Sequence, residues 1–243
     1  MFTSQDIDGI RYYSGQPDCS AGYSWVLALL RDTTAAWLSD PTQFNSRIKG
    51  NIGEFVAFHL VNPRQPLGSG WYAFYSNTDN PLSRISGAGL DMCFIYLDAD
   101  TTGAKDRLYI QEVKTTGSAK LDYADMLVQD HLKLTSVDPS LNLQARIRAI
   151  KARMRDLYVA DAATLKRIQE IANPDPAKCD KVMLLPTLVH EKKNADPATK
   201  LAKVRKEIAD QDWQLHLIYP ISISISRLDD GFASLAQNVP FKP

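Results

Sequence analysis

Gly89-Leu-Asp91, the run Met92-Cys-Phe-Ile-Tyr-Leu97 that follows it, and Tyr109-Ile-Gln-Glu112-Val-Lys114-Thr-Thr116 decide how this chain reads. Met92 to Leu97 and Arg107 to Lys114 have the length and the aromatic and β-branched content of strands. The polar stretch between them, Asp98-Ala-Asp-Thr-Thr-Gly-Ala-Lys-Asp106, contains Gly103 and suits a hairpin connection. Side chains alternate along a strand, so Glu112 and Lys114 share one face while Val113 points into the opposite layer. Asp91 lies seven residues before Asp98, and Glu112 six after Asp106. A hairpin is therefore expected to bring the two carboxylates nearly opposite each other, within reach of one cation.

Two hard carboxylate oxygens suit Mg²⁺ or Mn²⁺, which usually keep water and substrate phosphate in the remaining positions. A lysine alongside can orient or deprotonate an attacking water and offset charge on a phosphorane. Glu191-Lys-Lys193 repeats the Glu-x-Lys pattern, with Asp180 upstream. Eleven residues of strand would hold those two acids about 36 Å apart, so Glu191 reads as the polar end of a strand. Glu54 differs, being the one acid in Ile52-Gly-Glu-Phe-Val-Ala-Phe-His-Leu-Val61. At helical spacing it shares a face with Phe58 and Val61. A carboxylate there is either a helix N-terminal acid favoured by the dipole or a metal ligand on a face turned to the sheet.

Working outward, apolar spacing predicts helices over Ser24 to Leu38 and Ser46 to Val61, then a strand from Trp71 to Tyr75. Beyond the hairpin it predicts helices over Tyr123 to Leu134 and, as one long element, Leu141 to Ala172. A strand over Lys181 to His190 and a helix over Ala198 to Ala209 follow. Trp213 to Arg227 reads as a strand or strand pair broken near Pro220, and Ile221-Ser-Ile-Ser-Ile-Ser226 has the period of a strand with one buried face. The order predicts an α/β sandwich, a mixed sheet with helices on both faces.

The 243 residues suit one α/β domain, or at most two small ones, and 28 Lys plus Arg balance 28 Asp plus Glu. That zero net charge excludes a protein that collects nucleic acid or anionic membrane through its overall field. Cys19, Cys93 and Cys179 are odd in number and far apart, which suits a reducing compartment and no zinc knuckle. The start lacks the apolar run of a signal peptide, and no stretch approaches the ~20 apolar residues of a membrane span. A cytoplasmic location, without membrane contact, is expected. No Gly-rich phosphate loop occurs.

Gly50-Asn-Ile-Gly-Glu54, Gly89-Leu-Asp91, Glu112-Val-Lys114 and Thr115-Thr-Gly117 together resemble the PD-(D/E)xK, restriction-endonuclease-like nucleases. Their spacing also resembles that in the nuclease subunit of Hachiman anti-phage systems. The resemblance covers Ser46 to Leu134 in detail and the rest through element order. It implies a restriction-endonuclease-like mixed sheet and a single nuclease domain over 1–243. Within that domain, 1–45 would be a helical lead-in, 46–135 the catalytic core, and 136–243 basic helices and closing strands. By the same resemblance Asp91 and Glu112 bind metal, Val113 supplies a backbone carbonyl, Lys114 is the catalytic lysine, and Glu54 reaches the metal directly or through water. Gln129 matches a glutamine found after the motif in some branches. Leu90 stands where the family usually has proline.

Leu143, Ile147, Ile150, Met154 and Leu157 follow a three-four spacing that predicts a buried stripe. Arg146, Arg148, Lys151, Arg153 and Arg155 fall outside it and are expected to form a basic surface. Lys200, Lys203 and Lys206 form a smaller one. Such surfaces are solvated helix faces, phosphate tracks or docking sites for an acidic partner. The four histidines lack metal-ligand spacing. The expectation is a Mg²⁺- or Mn²⁺-dependent DNA nuclease, an effector in a restriction or anti-phage system working with a helicase or ATPase subunit or a second copy. A nuclease-fold assembly subunit without turnover and an RNA-directed nuclease are the alternatives.

Overall fold

In the computed structural model the described residues are 2–15, 46–61, 70–75, 92–100, 102–117, 121–172, 178–193, 196–226 and 228. The helix expected over Ser24 to Leu38, and Asp91 itself, lie outside them. Among the described residues seven strands form one mixed sheet: β1 (Phe2–Ile7), β2 (Ile10–Gly15), β3 (Trp71–Tyr75), β4 (Met92–Tyr96), β5 (Arg107–Thr116), β6 (Val182–Glu191) and β7 (Ile221–Ile225). Their order is β1-β2-β7-β6-β5-β4-β3. The middle pairings β2–β7, β7–β6 and β6–β5 are parallel, while β1–β2 at one end and β5–β4–β3 at the other are antiparallel.

Five helices are described: α1 (Ser46–Val61), α2 (Tyr123–Leu132), α3 (Leu143–Tyr158), α4 (Ala162–Ile171) and α5 (Pro197–Ala209). Val56, Ala57 and Phe58 of α1 pack with Met92, Phe94, Val113, Val189 and Ile223 on one face. The other four helices cover the opposite face, over Cys93, Ile95, Ile110, Leu184 and Leu188. Each fully buried aliphatic side chain in these layers contributes about 1.5–3 kcal/mol relative to exposure. No described helix is long and apolar enough to cross a membrane.

The structure departs from the expectations at three places. Residues 2–15, at the front of the expected helical lead-in, form a hairpin, with Asp8 and Gly9 both at positive φ, 51° and 74°, in a two-residue turn between Ile7 and Ile10; the lead-in's expected helix lies outside the described residues. The long helix over Leu141 to Ala172 is two helices. Val159 adopts the left-handed conformation at the end of α3, and the Asp161 side chain accepts from the Thr164 amide to start α4. Asp161 marks the start of α4 in the sequence, but nothing marks the end of α3, since a β-branched residue at positive φ is unfavourable and is held here by its surroundings. Tyr158 beside it packs edge-on against Tyr72 and Phe74. Finally, Trp213 to Pro220 is not strand: Trp213 is buried ahead of a short 3₁₀ turn over Leu215–Leu217. The isoleucines of β7 are buried as expected, but Ser222 is buried too, because β7 is an interior strand covered on both faces.

The β4–β5 connection is anchored rather than loose. Arg167 of α4 donates to both carboxylate oxygens of the buried Asp106, at 3.0 and 2.5 Å, and to the Asp98 carbonyl at 2.8 Å. That fixes the hairpin's loop end, and its other end carries Glu112 and Lys114.

Candidate functional site

In β5 the side chains alternate between the two layers. Tyr109 and Val113 join the α1 side, whereas Leu108 and Ile110 join the four-helix side. Glu112 and Lys114 follow the second set, and their partners come from α2 and α3. The antiparallel register pairs Met92 with Gln111, so the chain enters β4 one residue short of Glu112 on the ladder.

Glu112 is 3% exposed, and its Oε1 lies 3.2 Å from Nη2 of Arg146, itself 1% exposed. The basic surface expected of α3 is corrected at this position. Arg146 is three residues after Leu143 and four before Ile150, and so belongs geometrically to the buried stripe; its charge disguised that. Leu157, expected in the stripe, is exposed because the helix ends one residue later. Arg146 Nε and Nη1 are buried without a hydrogen-bond partner among the described residues, so the carboxylate supplies its main compensation.

Lys114, two residues on, forms an ion pair with Asp130 of α2, and Asp130 also meets Lys133 at 2.5 Å. Burial works to raise the Asp130 carboxyl, but the hydrogen bonds and charges of Lys114 and Lys133 outweigh it and hold it below the ordinary aspartate value. Next to it His131 is fully buried, with Nδ1 2.7 Å from the Leu127 carbonyl. Burial, with Arg146 and Lys114 nearby, lowers its pKa to about 4, against the raising effects of that hydrogen bond and Asp130. It is a neutral interior histidine at physiological pH. Gln129, in contrast, is exposed; the side chain of α2 that reaches Lys114 is Asp130. Asp130 was missed because acids on a helix with an apolar stripe, here Asp125 and Asp130, read as its wet face.

Glu54, half-buried, stands on α1, across the sheet from Glu112 and Lys114. The helix approaches β5 at Gly53, where a Cβ would lie 1.8 Å from Thr115 Oγ1. Glycine inside a helix costs about 1 kcal/mol relative to alanine, and this close seat is what requires it. Val113 faces the α1 layer and is aligned with Thr187 of β6. Gln111, fully buried, donates to Thr187 Oγ1 at 3.0 Å.

On α3, Arg148 is exposed and donates to the Pro139 carbonyl, Lys151 is half-buried and donates to Gln169, and Arg155 is exposed. Lys200 and Lys203 pair with Asp125, and Lys206 with Asp210. The expected basic surfaces are therefore partly neutralised. Among the described residues no three His, Cys, Asp or Glu side chains form a metal-holding group; Asp91 is outside that set. The carboxylate oxygens of Glu112 are hard donors of the kind Mg²⁺ takes, with Arg146 as a resident competing cation.

No known family model matches the chain, and no curated protein matches it.

Proposed function

We propose that the chain is a nuclease of the restriction-endonuclease-like kind, hydrolysing DNA phosphodiesters with Mg²⁺ or Mn²⁺ as an effector of a restriction or anti-phage system. The observation that carries this is the β4–β5 register. It sets Met92, the first residue of β4, beside Gln111, one position before Glu112 on the ladder. Helix α1, the hairpin, helix α2 and strand β6, parallel to β5, follow in the order the resemblance implies. On this reading Asp91, Glu112 and the Val113 carbonyl would hold the ion, and Glu54, on the α1 side of the sheet, stands apart from them. The ion's chemistry is to acidify a bound water and neutralise charge at phosphorus. Lys114, held against Asp130, serves as a fixed positive charge for a phosphate oxygen rather than as a base. Arg146 stands as the internal counter-charge of the Glu112 carboxylate inside a dry layer.

Neutral overall charge and partly neutralised basic helices leave little field to gather DNA, which favours work beside a helicase or ATPase subunit or in a homo-oligomer. The test is cleavage of single- and double-stranded DNA, and of RNA, with Mg²⁺ or Mn²⁺, by wild type, Asp91→Ala and Lys114→Ala, alone and with the products of adjacent genes. Metal-dependent cleavage lost in both variants is expected. No cleavage under any condition, or full activity in Asp91→Ala, refutes the proposal, and cleavage of RNA alone moves it to an RNA-directed nuclease.

One observation favours a second reading, an assembly subunit without turnover: Glu112 is buried against Arg146 and Lys114 is tied to Asp130, a set of pairs sufficient as structure. Calorimetry separates the two. Mg²⁺ or Mn²⁺ binding that disappears in Glu112→Gln belongs to the nuclease, and no binding belongs to the scaffold.

A further inference from the structure

A cavity of about 380 Å³ opens on the α1 face of the sheet, where Val61 ends the helix. It lies across the sheet from Glu112 and Lys114 and is not a cleft of their site. Its floor is apolar, with Phe94 and Ile221 nearly fully buried. Its walls are rings: Trp71 and Tyr109 stand in tilted contact with centroids 5.5 Å apart, and Tyr13 and the 43% exposed Tyr219 also line it. The charged groups sit together at the N-terminal hairpin, where Arg11 of β2 forks onto Asp6 of β1, with Nη2 to Oδ2 at 2.7 Å.

The volume is that of a small-ligand pocket, and aromatic walls over an apolar floor select a flat occupant. Rings alone would also suit a quaternary ammonium, but such a cation has no acceptor for the N–H donors that Arg11 brings to this pocket. The Arg11–Asp6 pair offers N–H donors and carboxylate acceptors side by side. That combination matches a heterocycle whose edge mixes acceptors and donors. We propose that this cavity binds a nucleobase, stacked against the Trp71 and Tyr109 wall and read along its edge by Arg11 and Asp6. The base belongs either to a free nucleotide or to an unstacked position of a single strand, which share this chemistry. The site is independent of the hydrolytic function proposed above.

The test titrates AMP, GMP, CMP, UMP and a short single-stranded oligonucleotide into the full chain in EDTA, so that no metal-dependent step contributes. Tryptophan fluorescence reads the wild type and calorimetry reads the variants. Saturable binding is expected, with a fluorescence response lost in Trp71→Phe while calorimetric binding remains. Tyr219→Ala and Arg11→Ala, both at exposed side chains, are expected to weaken binding about fivefold or more with the unfolding midpoint unchanged. A mononucleotide response assigns a free nucleotide; a response from the oligonucleotide alone, reduced by Tyr219→Ala, assigns a strand. No saturable binding at millimolar ligand, or binding that neither variant moves, overturns the proposal. Binding retained in a protein without nuclease activity would remove the hydrolytic reading and leave this one standing.

Discussion

Replacing Arg146 by methionine keeps most of the side-chain volume and removes the cation from a carboxylate that is 3% exposed. Both side chains of this pair are within a few per cent of full burial, so solvent does little to screen the loss. Removing one member of a buried pair costs about 3–5 kcal/mol. That is a large share of the roughly 5–15 kcal/mol that stabilises a domain. For a chain of this size it lowers Tm by about 6–20 °C, at 2–4 °C per kcal/mol. Glu112→Gln alone is also costly, since Arg146 then keeps its charge inside the same layer with Nε and Nη1 already unsatisfied. The double variant Arg146→Met/Glu112→Leu removes both charges and recovers most of the loss, because apolar replacement of a whole buried pair is often neutral or better. The assay is a double-mutant cycle by urea unfolding, with intrinsic fluorescence and circular dichroism as coincident probes. A single variant within about 1 kcal/mol of wild type, or a double variant whose loss is the sum of the singles, refutes the account of Arg146 as the internal counter-charge of Glu112.

Three further outcomes are expected. His131 has a folded pKa of about 4 against an ordinary 6.5, so the unfolded chain binds the extra proton first, and stability present above pH 6.5 is lost as pH falls toward 4. The loss amounts to about 3 kcal/mol, and a pH series of urea midpoints is expected to be flatter over that window in His131→Asn; an identical slope would exclude His131 as its source. Gly53→Ala drives a methyl into Thr115 and is expected to destabilise by about 1–3 kcal/mol, partly restored by Thr115→Ala, and the absence of any rescue would place the strain elsewhere. Arg167→Met strands the buried Asp106 and is expected to cost about 3 kcal/mol or more by urea unfolding, whereas Arg148→Met, at an exposed position, stays within about 0.5 kcal/mol.

The sheet was legible where apolar runs are continuous or alternate. Trp71 to Tyr75 was read as it stands, and β4, β5 and β6 to within two residues, because burial on both faces writes itself into composition. The N-terminal hairpin was not, although Asp8-Gly9 is a strong turn signal, because β1 is mostly polar and edge strands need little apolar content. At the candidate site, Glu112 and Lys114 sharing a face followed from strand period alone. Their partners did not follow: Arg146 and Asp130 are charged residues on amphipathic helices, and a period-based reading assigns charge to solvent. Only the three-dimensional meeting of α2, α3 and β5 makes those positions interior, and no local pattern encodes it.

The pairing of β2 with β7 sets Arg11 against Ile221, 210 positions apart in the chain. Antiparallel hairpins close as soon as they are made, but this parallel seam has to wait. At synthesis rates of about 5–20 residues per second, the first hairpin emerges from the ribosome roughly 10–40 seconds before its permanent neighbour exists. During that interval one of its edges is an open hydrogen-bonding template, the kind of surface chaperones cover and wrong partners find. Because Arg11 and Asp6 belong to that hairpin, the aromatic cavity acquires its charged rim only when the seam closes. Its capacity to hold a ligand would therefore report on completion of the fold, and pulse-labelling hydrogen exchange is expected to find protection of β2 arriving with β7.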